Sequence, residues 1–151
     1  MELEKLVDNF INLYFKMANT LAKFLSKINN ARQSNLKDVY FNYPISNKCI
    51  KILDILYKQG YIKSFTIKND LTDSNKTNIH VLFKFDQNGK NVINYLNQIS
   101  TSNRRIYVSI NSLWKVKKGN GCFIISTPKG IMTDFDARIL KLGGELLCSI
   151  A

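Results

Sequence analysis

The spacing of apolar residues changes period several times along the chain, and each change predicts a different element. From Leu6 to Ile28 the residues Val7, Ile11, Tyr14, Leu21, Leu25 and Ile28 recur at intervals of three, four or seven, the mark of a helix with one apolar face. Thr20 is a competent N-cap inside that run, so the segment is one long helix or two. Polar Asn29 to Ser34 closes it. Val39, Phe41 and Tyr43 then alternate as a short strand that Pro44 stops. Ser46 is placed to cap a helix carrying Ile50, Leu53, Leu56 and Tyr57, and Gly60 to end it. Tyr61 to Lys68 reads as a strand and Asn69 to Asn78 as a polar turn. Ile79, Val81, Phe83 and Phe85 alternate as an antiparallel return.

Beyond a turn at Gln87 to Lys90 the elements shorten. Val92 to Ile99 fits strand or helix equally. Thr101 to Arg105 is a basic loop before a strand from Ile106 to Ile110. Asn111 opens a short helix through Val116, which Gly119 and Gly121 end, and Cys122 to Ile125 is a strand-length apolar run. A loop from Ser126 to Gly130 precedes Thr133 and Asp136, spaced as a capping box, and their helix should stop at Gly143. Leu146 to Ile150 closes the chain as a strand. The expected fold class is α+β with two packed halves: an N-terminal α-β-α-β-β unit and a smaller, mainly β C-terminal unit with short helices. The expected divisions are a helical extension at 1–18, a first half at 19–88 and a second at 89–151.

Composition narrows the function. The chain has 151 residues, 45% of them hydrophobic, enough for a buried core. No stretch approaches the roughly 18 consecutive apolar residues of a membrane span, and the acidic start, Met-Glu-Leu-Glu, is unlike an import signal. The chain is expected to be used where it is made. Lys and Arg outnumber Asp and Glu by 22 to 11, a net charge of +11 that favours a polyanionic partner, nucleic acid first and an anionic membrane surface second. Cys49, Cys122 and Cys148 lie far apart among apolar neighbours, with neither disulfide nor zinc spacing, and read as buried thiols. Abundant Asn, Ile, Lys, Tyr and Phe suggest an AT-rich, organellar genome.

One long motif decides the matter. Ile125-Ser126-Thr127-Pro128-Lys129-Gly130-Ile131-Met132-Thr133-Asp134 is followed by Ala137-Arg138 and by Gly143-Gly144-Glu145-Leu146-Leu147-Cys148. This resembles the C-terminal signature of the bacterial-type small-subunit ribosomal protein number eight, which reads Ser-Thr-Ser-Lys-Gly-hydrophobic-Met-Thr-Asp, a short helix, then Gly-Gly-Glu and an apolar strand containing Cys. The likeness extends back through Gly119-Asn120-Gly121, Arg105-Ile106-Tyr107, Lys58-Gln59-Gly60-Tyr61-Ile62 and Leu25 to Ala31, covering the chain from about Met17. It implies a non-enzymatic constituent of the small subunit, in a mitochondrial ribosome on the composition, with a plastid or bacterial cytoplasmic ribosome as the alternative. Such a protein binds the central domain of the rRNA and touches neighbouring ribosomal proteins, with no cofactor, metal, membrane or small-molecule substrate. This chain departs from the pattern at Pro128, where Ser is usual, at Asn29, often Arg, and at Trp114, often Pro.

The residues themselves suit that task. A Ser-Thr pair at a strand end offers hydroxyls that donate and accept, Gly130 lets backbone approach a ligand, and Lys129 adds charge. The same residue types also make an ordinary polar turn. The RNA contacts the resemblance implies are Ser126, Thr127, Lys129, Gly130, Thr133, Gly144 and Glu145. Lys27, Asn30, Arg32, Lys48, Arg104, Arg105 and Tyr107 are further candidates at basic turns. Catalysis has little footing: His80 alternates with apolar residues, Gly119-Asn120-Gly121 lacks a third glycine, and Asp134 with Asp136 reads as charge at a helix start. The rival readings are a free-standing regulator of structured RNA, such as its own messenger, and, more remotely, a cysteine hydrolase.

Overall fold

Helix ends fix much of the first half. The computed structural model describes residues 5–7, 20–69, 77–115 and 121–151. Residues 5–7 are helical, and the rest of the expected N-terminal stretch, with Ile11 and Tyr14, lies outside the described residues. Helix α1 (Thr20–Gln33) buries Phe24, Leu25, Ile28 and Ala31. It ends where Asn35 takes a positive φ of 53° and Leu36 N–H returns to the Ala31 carbonyl. Strand β1 (Asp38–Phe41) stops short of Tyr43, whose ring packs edge-on against Phe41 at 5.9 Å. Helix α2 (Asn47–Lys58) closes at Gly60 as expected: φ is +80°, with Tyr61 N–H on Leu56 O and Gly60 N–H on Tyr57 O.

Two expectations for α2 change. Ser46 holds the N-cap position, but its hydroxyl donates to Cys49 Sγ at 3.3 Å and receives no backbone N–H. The buried face carries Cys49, Ile52, Leu53, Ile55 and Leu56, whereas Tyr57 is exposed. The stripe turns this way because α2 packs on β2 (Ile62–Asn69) on one side and on a strand of the second half on the other. With β3 (Thr77–Phe83) these strands form an antiparallel sheet in the order β1-β3-β2, with Val39 opposite Val81 and Ile67 opposite Ile79.

The second half contains β4 (Leu96–Gln98), β5 (Tyr107–Val108), α3 (Ile110–Lys115), β6 (Cys122–Thr127), β7 (Gly130–Thr133), α4 (Asp134–Ile139) and β8 (Gly144–Ile150). Its sheet runs β4-β8-β6-β7, with β5 also paired to β8. The strand expected over 106–110 has only two residues here, because α3 starts at Ile110; Ser109, not Asn111, accepts from the N–H of Ser112 at 3.3 Å. Of the ambiguous segment 92–99 only Leu96–Gln98 is strand. The N-cap half of the box is formed: Thr133 Oγ1 accepts from Asp136 N–H at 3.2 Å, and it donates to Asp136 Oδ2 at 2.9 Å. Its helix stops at Ile139 and not at Gly143, since Lys141 turns the chain with φ +56°.

One continuous core joins the halves. Phe24, Ile28, Phe41, Leu53, Leu56 and Val81 share it with Ile93, Leu96, Ile124, Leu147, Cys148 and Ile150. A smaller cluster of Leu113, Ile125, Ala137 and Leu146 lies on the other face of the second sheet. Beside it the sequence concealed a buried ion pair. Arg138 Nη2 lies 3.0 Å from Asp134 Oδ2, and its Nε donates to the Leu113 carbonyl at 3.1 Å, tying α4 to α3. Asp134 Oδ1 also accepts from Phe123 N–H at 3.3 Å, so this carboxylate does more than favour a helix dipole.

The cysteines are free, Cys49 and Cys148 buried and Cys122 half-buried. Burial pushes all three thiols up, Cys122 to about 11 and Cys148 to about 12. Above the ordinary thiol range the unfolded chain therefore loses protons that the folded chain keeps, so stability falls with rising pH. Denaturant midpoints measured at successive alkaline pH values should decline through that window and level off above the raised values. Arg138→Met leaves Asp134 buried without its cation and should destabilise the fold by about 3–5 kcal/mol in urea unfolding.

Candidate nucleic-acid interface

Strand alternation determines what the C-terminal motif presents. Ser126, Thr127 and Gly130 lie in strands, and only Pro128 and Lys129 form the turn, so the loop expected from 126 to 130 is a tight hairpin. Consecutive strand residues face opposite ways. Ile124, Ser126 and Ile131 share the face toward the main core and α2, while Ile125, Thr127 and Met132 share the face toward the smaller cluster. The two adjacent hydroxyls therefore do not act as a pair. Ser126 is half-buried; Thr127 is buried, and its Oγ1 donates to the Gly130 carbonyl at 2.8 Å, closing the hairpin. Thr127 has only lone pairs left to offer. Gly130 takes φ +121°, with open space where a side chain would stand.

A bulge in β8 completes the arrangement. Ile124 pairs with Cys148 and Ile125 with Leu146, which leaves Leu147 as the extra residue. Both Leu147 and Cys148 then enter the main core, and the phase shift brings Glu145 onto the Ser126 face. Tyr107, Glu145, Ser126 and Ile131 form one row across β5, β8, β6 and β7. Gly144 and Gly143 permit this packing. A Cβ at Gly144 would meet Ser126 O at 2.1 Å, and one at Gly143 would meet Val108 O at 2.6 Å. Gly144 is thus required first by the close packing of β8 on β6, and it is itself half-buried. Thr133 is likewise committed to the fold, being buried with its hydroxyl engaged at the helix cap.

Where β8 meets the start of α2, a groove of about 590 Å³ opens. Lys48, Arg105, Glu145, Ser46, Thr101 and Ser102 are among the residues lining it. Arg105 Nη1 is 3.4 Å from each Glu145 carboxylate oxygen, and its side chain is 42% exposed against 11% for Glu145. The buried carboxylate therefore holds the guanidinium in place, while Arg105 cancels a negative charge that would repel phosphate. Glu145 is a positioning group as much as a contact. Lys48 and Arg104 are exposed, and Tyr107 is 68% exposed at the groove's margin row. Lys129 projects from the hairpin turn.

The candidates on α1 are not part of this groove. Lys27 donates to the Tyr40 carbonyl and lies 5.1 Å from the Phe41 ring centre. Arg32 donates from Nε to Asn29 at 3.0 Å and from Nη1 to the Asn94 carbonyl, strapping the first half to the second. Asn30 alone of the three is exposed. Sequence reasoning missed the hydroxyls of Ser46, Thr101 and Ser102; their polar-loop setting was visible, but nothing in the spacing told that they converge. His80 sits 2.9 Å from Asp38 and stacks on Tyr40, so its partners are a carboxylate and a ring and not a thiol.

A strongly basic α+β protein with hydroxyl, guanidinium and ammonium groups converging on an open groove belongs to the class built to hold a polyanion. Comparison with known proteins makes the class particular: the chain belongs to the family Ribosomal protein S8, whose pattern matches residues 19–151. It is 40% identical over 134 residues to the small ribosomal subunit protein uS8 of Orientia tsutsugamushi (strain Boryong), covering 89% of this chain and 98% of that protein. Against the protein of the same name from Pelagibacter ubique (strain HTCC1062) it is 39% identical, again with 89% and 98% covered.

Gly144→Ala tests the packing at the corner. Its new methyl must displace backbone, so the variant should be destabilised by more than about 1 kcal/mol, the ordinary loss for a point change. An unfolding midpoint equal to the parent's would show that β6 and β8 are not this close.

Proposed function

We propose that this chain is a structural constituent of the small ribosomal subunit, binding the central domain of the small-subunit rRNA and supporting assembly. The reading is carried by one observation: Lys48, Arg105 and several hydroxyls line a single groove beside the Ser126 face of the hairpin, on a chain of net charge +11. Folded RNA offers phosphates, ribose 2′-hydroxyls and splayed bases. Exposed cations suit the first, hydroxyls and what the Glu145 carboxylate leaves free beside Arg105 the second, and an exposed ring such as Tyr107 the third.

The residues fall into two roles. Ser126, Lys129, Gly130, Arg104, Arg105, Tyr107, Lys48 and Asn30 contact RNA. Thr127, Thr133 and Gly144 hold the corner in shape, Glu145 both positions Arg105 and faces the RNA, Lys27 ties α1 to β1, and Arg32 fixes the first half against the second. The binding is recognition without bond making, as befits a member of a non-enzymatic family. Residues 19–88 and 89–151 each contribute one side of the surface, with 1–18 as an extension toward a ribosomal neighbour. The AT-rich character of the composition supports a mitochondrial ribosome as the location.

Paired alanine variants separate the two roles. Ser126→Ala should weaken binding to a central-domain rRNA transcript by about 1–2 kcal/mol without changing stability. Thr127→Ala should do the reverse, lowering stability by about 1 kcal/mol through the missing Gly130 bond while the folded variant binds as before. Filter binding and urea unfolding measure the two. Unaltered affinity in the Ser126 variant would remove that hydroxyl from the interface.

A further inference from the structure

We propose that a second groove, at the end of the first sheet, holds the phosphodiester backbone of an rRNA segment separate from the one gripped beside the hairpin. The proposal rests on the chain being an rRNA-binding protein and adds a surface that the C-terminal motif does not include. The groove measures about 920 Å³ and shares no lining residue with the first. It lies where β1 begins, β3 ends and β2 begins, under the last turn of α2. Lys37, Lys58, Lys63 and Lys84 line it, with Tyr57 and Phe85 as aromatic walls.

Three features of the backbone gather these cations. Lys37 precedes β1, and its carbonyl accepts from Phe83 N–H, which places it beside the end of β3. Ile62 pairs with Phe83 and Ser64 with Leu82, so Lys63 is the extra residue of a β-bulge, a device that re-aims a side chain. Lys84 reaches back over the helix end: its Nζ is 3.8 Å from where a Cβ would stand on Gly60. Three of the carbonyls ending α2, those of Ile55, Leu56 and Tyr57, accept from Gln59, Tyr61 and Gly60, which weakens the negative end of the helix that the lysines must outweigh. Among the described residues the one ion pair at this groove is Lys58 with Asp54, at 2.7 Å.

The ammonium groups of Lys37, Lys63 and Lys84 around this open trough, joined by that of Lys58 on its Asp54 tether, repel one another unless a polyanion lies between them. Lysines act as point charges without the planar fork that reads carboxylates in pairs, which favours a phosphate backbone over an acidic protein segment. Tyr57 is 51% exposed and supplies a ring edge to a ribose or base.

The test replaces Lys37, Lys58, Lys63 and Lys84 by Gln together in the full chain and measures affinity for the central-domain transcript against salt. All four side chains are exposed, and an unchanged urea midpoint verifies folding. Every phosphate deprived of its lysine lowers the slope of log affinity on log salt by about 0.7–0.9, so the three lysines other than Lys58, which is paired with Asp54, give an expected fall of about 2–3. A second variant, Lys48→Gln with Arg105→Gln, should lower the slope by its own separate increment. A slope unmoved by the four changes but reduced by these two overturns the second groove and leaves the first. Unmoved slopes in both sets overturn both. As an independent reading, an iron chelate on Lys63→Cys should cut the bound transcript near the groove at positions that the parent protein, treated with the same chelate at its half-buried Cys122 and its two buried thiols, does not cut. Absence of cutting, or loss of subunit association with the salt slope intact, overturns the proposal in favour of an acidic protein neighbour.

Discussion

The arrangement at the C-terminal corner depends on one extra residue in one strand. Leu147 bulges out of the β6 pairing, and its side chain joins the main core beside Cys148. Without it, regular alternation would turn Glu145 and Gly144 onto each other's faces. Arg105 would then lose its counter-charge, and the groove its floor. The bulge is held by burial: Leu147, Cys148 and Ile150 are packed among residues of α1 and α2, so shifting the register would expose several apolar side chains at about 1.5–3 kcal/mol each. The same packing joins the halves. The core thus sets the chemistry of the surface.

Charge and geometry divide the work at that surface. Cations such as Lys48 and Arg104 are exposed and supply long-range attraction that salt weakens. Specificity needs fixed groups, and these come in tethered form: Arg105 on Glu145, Thr127 on Gly130, Thr133 on Asp136. Glu145, Thr127 and Thr133 are themselves buried. A motif rich in hydroxyls and glycines is therefore largely an internal scaffold, and the few groups it leaves outward, Ser126 and Lys129 above all, gain their meaning from it.

Much of this was legible in the sequence, and the failures have physical causes. The α-β-α-β-β order, the Gly60 stop and the Thr133 N-cap followed from local patterns, because each depends on residues a few positions apart. Helix α2 was misphased because packing on two sides broadens a stripe that periodicity reads as one face. Ser109 displaced Asn111 as a cap, and Lys141 ended α4 before Gly143, each through local bonds to which more than one nearby residue was suited. The Ser126–Thr127 pair was read as a loop because Pro128 and Gly130 are turn residues, yet a two-residue turn was sufficient. The groove lining was beyond reach, since it joins segments with no shared local signal; the Arg138–Asp134 pair has i,i+4 spacing on one helix, but its burial depends on packing that the spacing does not show. The site was visible as a motif; which atoms it turns outward was not.

The most direct measurement is a density map of the small subunit that contains this chain. RNA backbone should occupy the space between the first turn of α2, the 101–105 loop and the Ser126 face of the hairpin, with phosphate near Arg105. Protein or solvent filling that space in the intact particle would contradict the account.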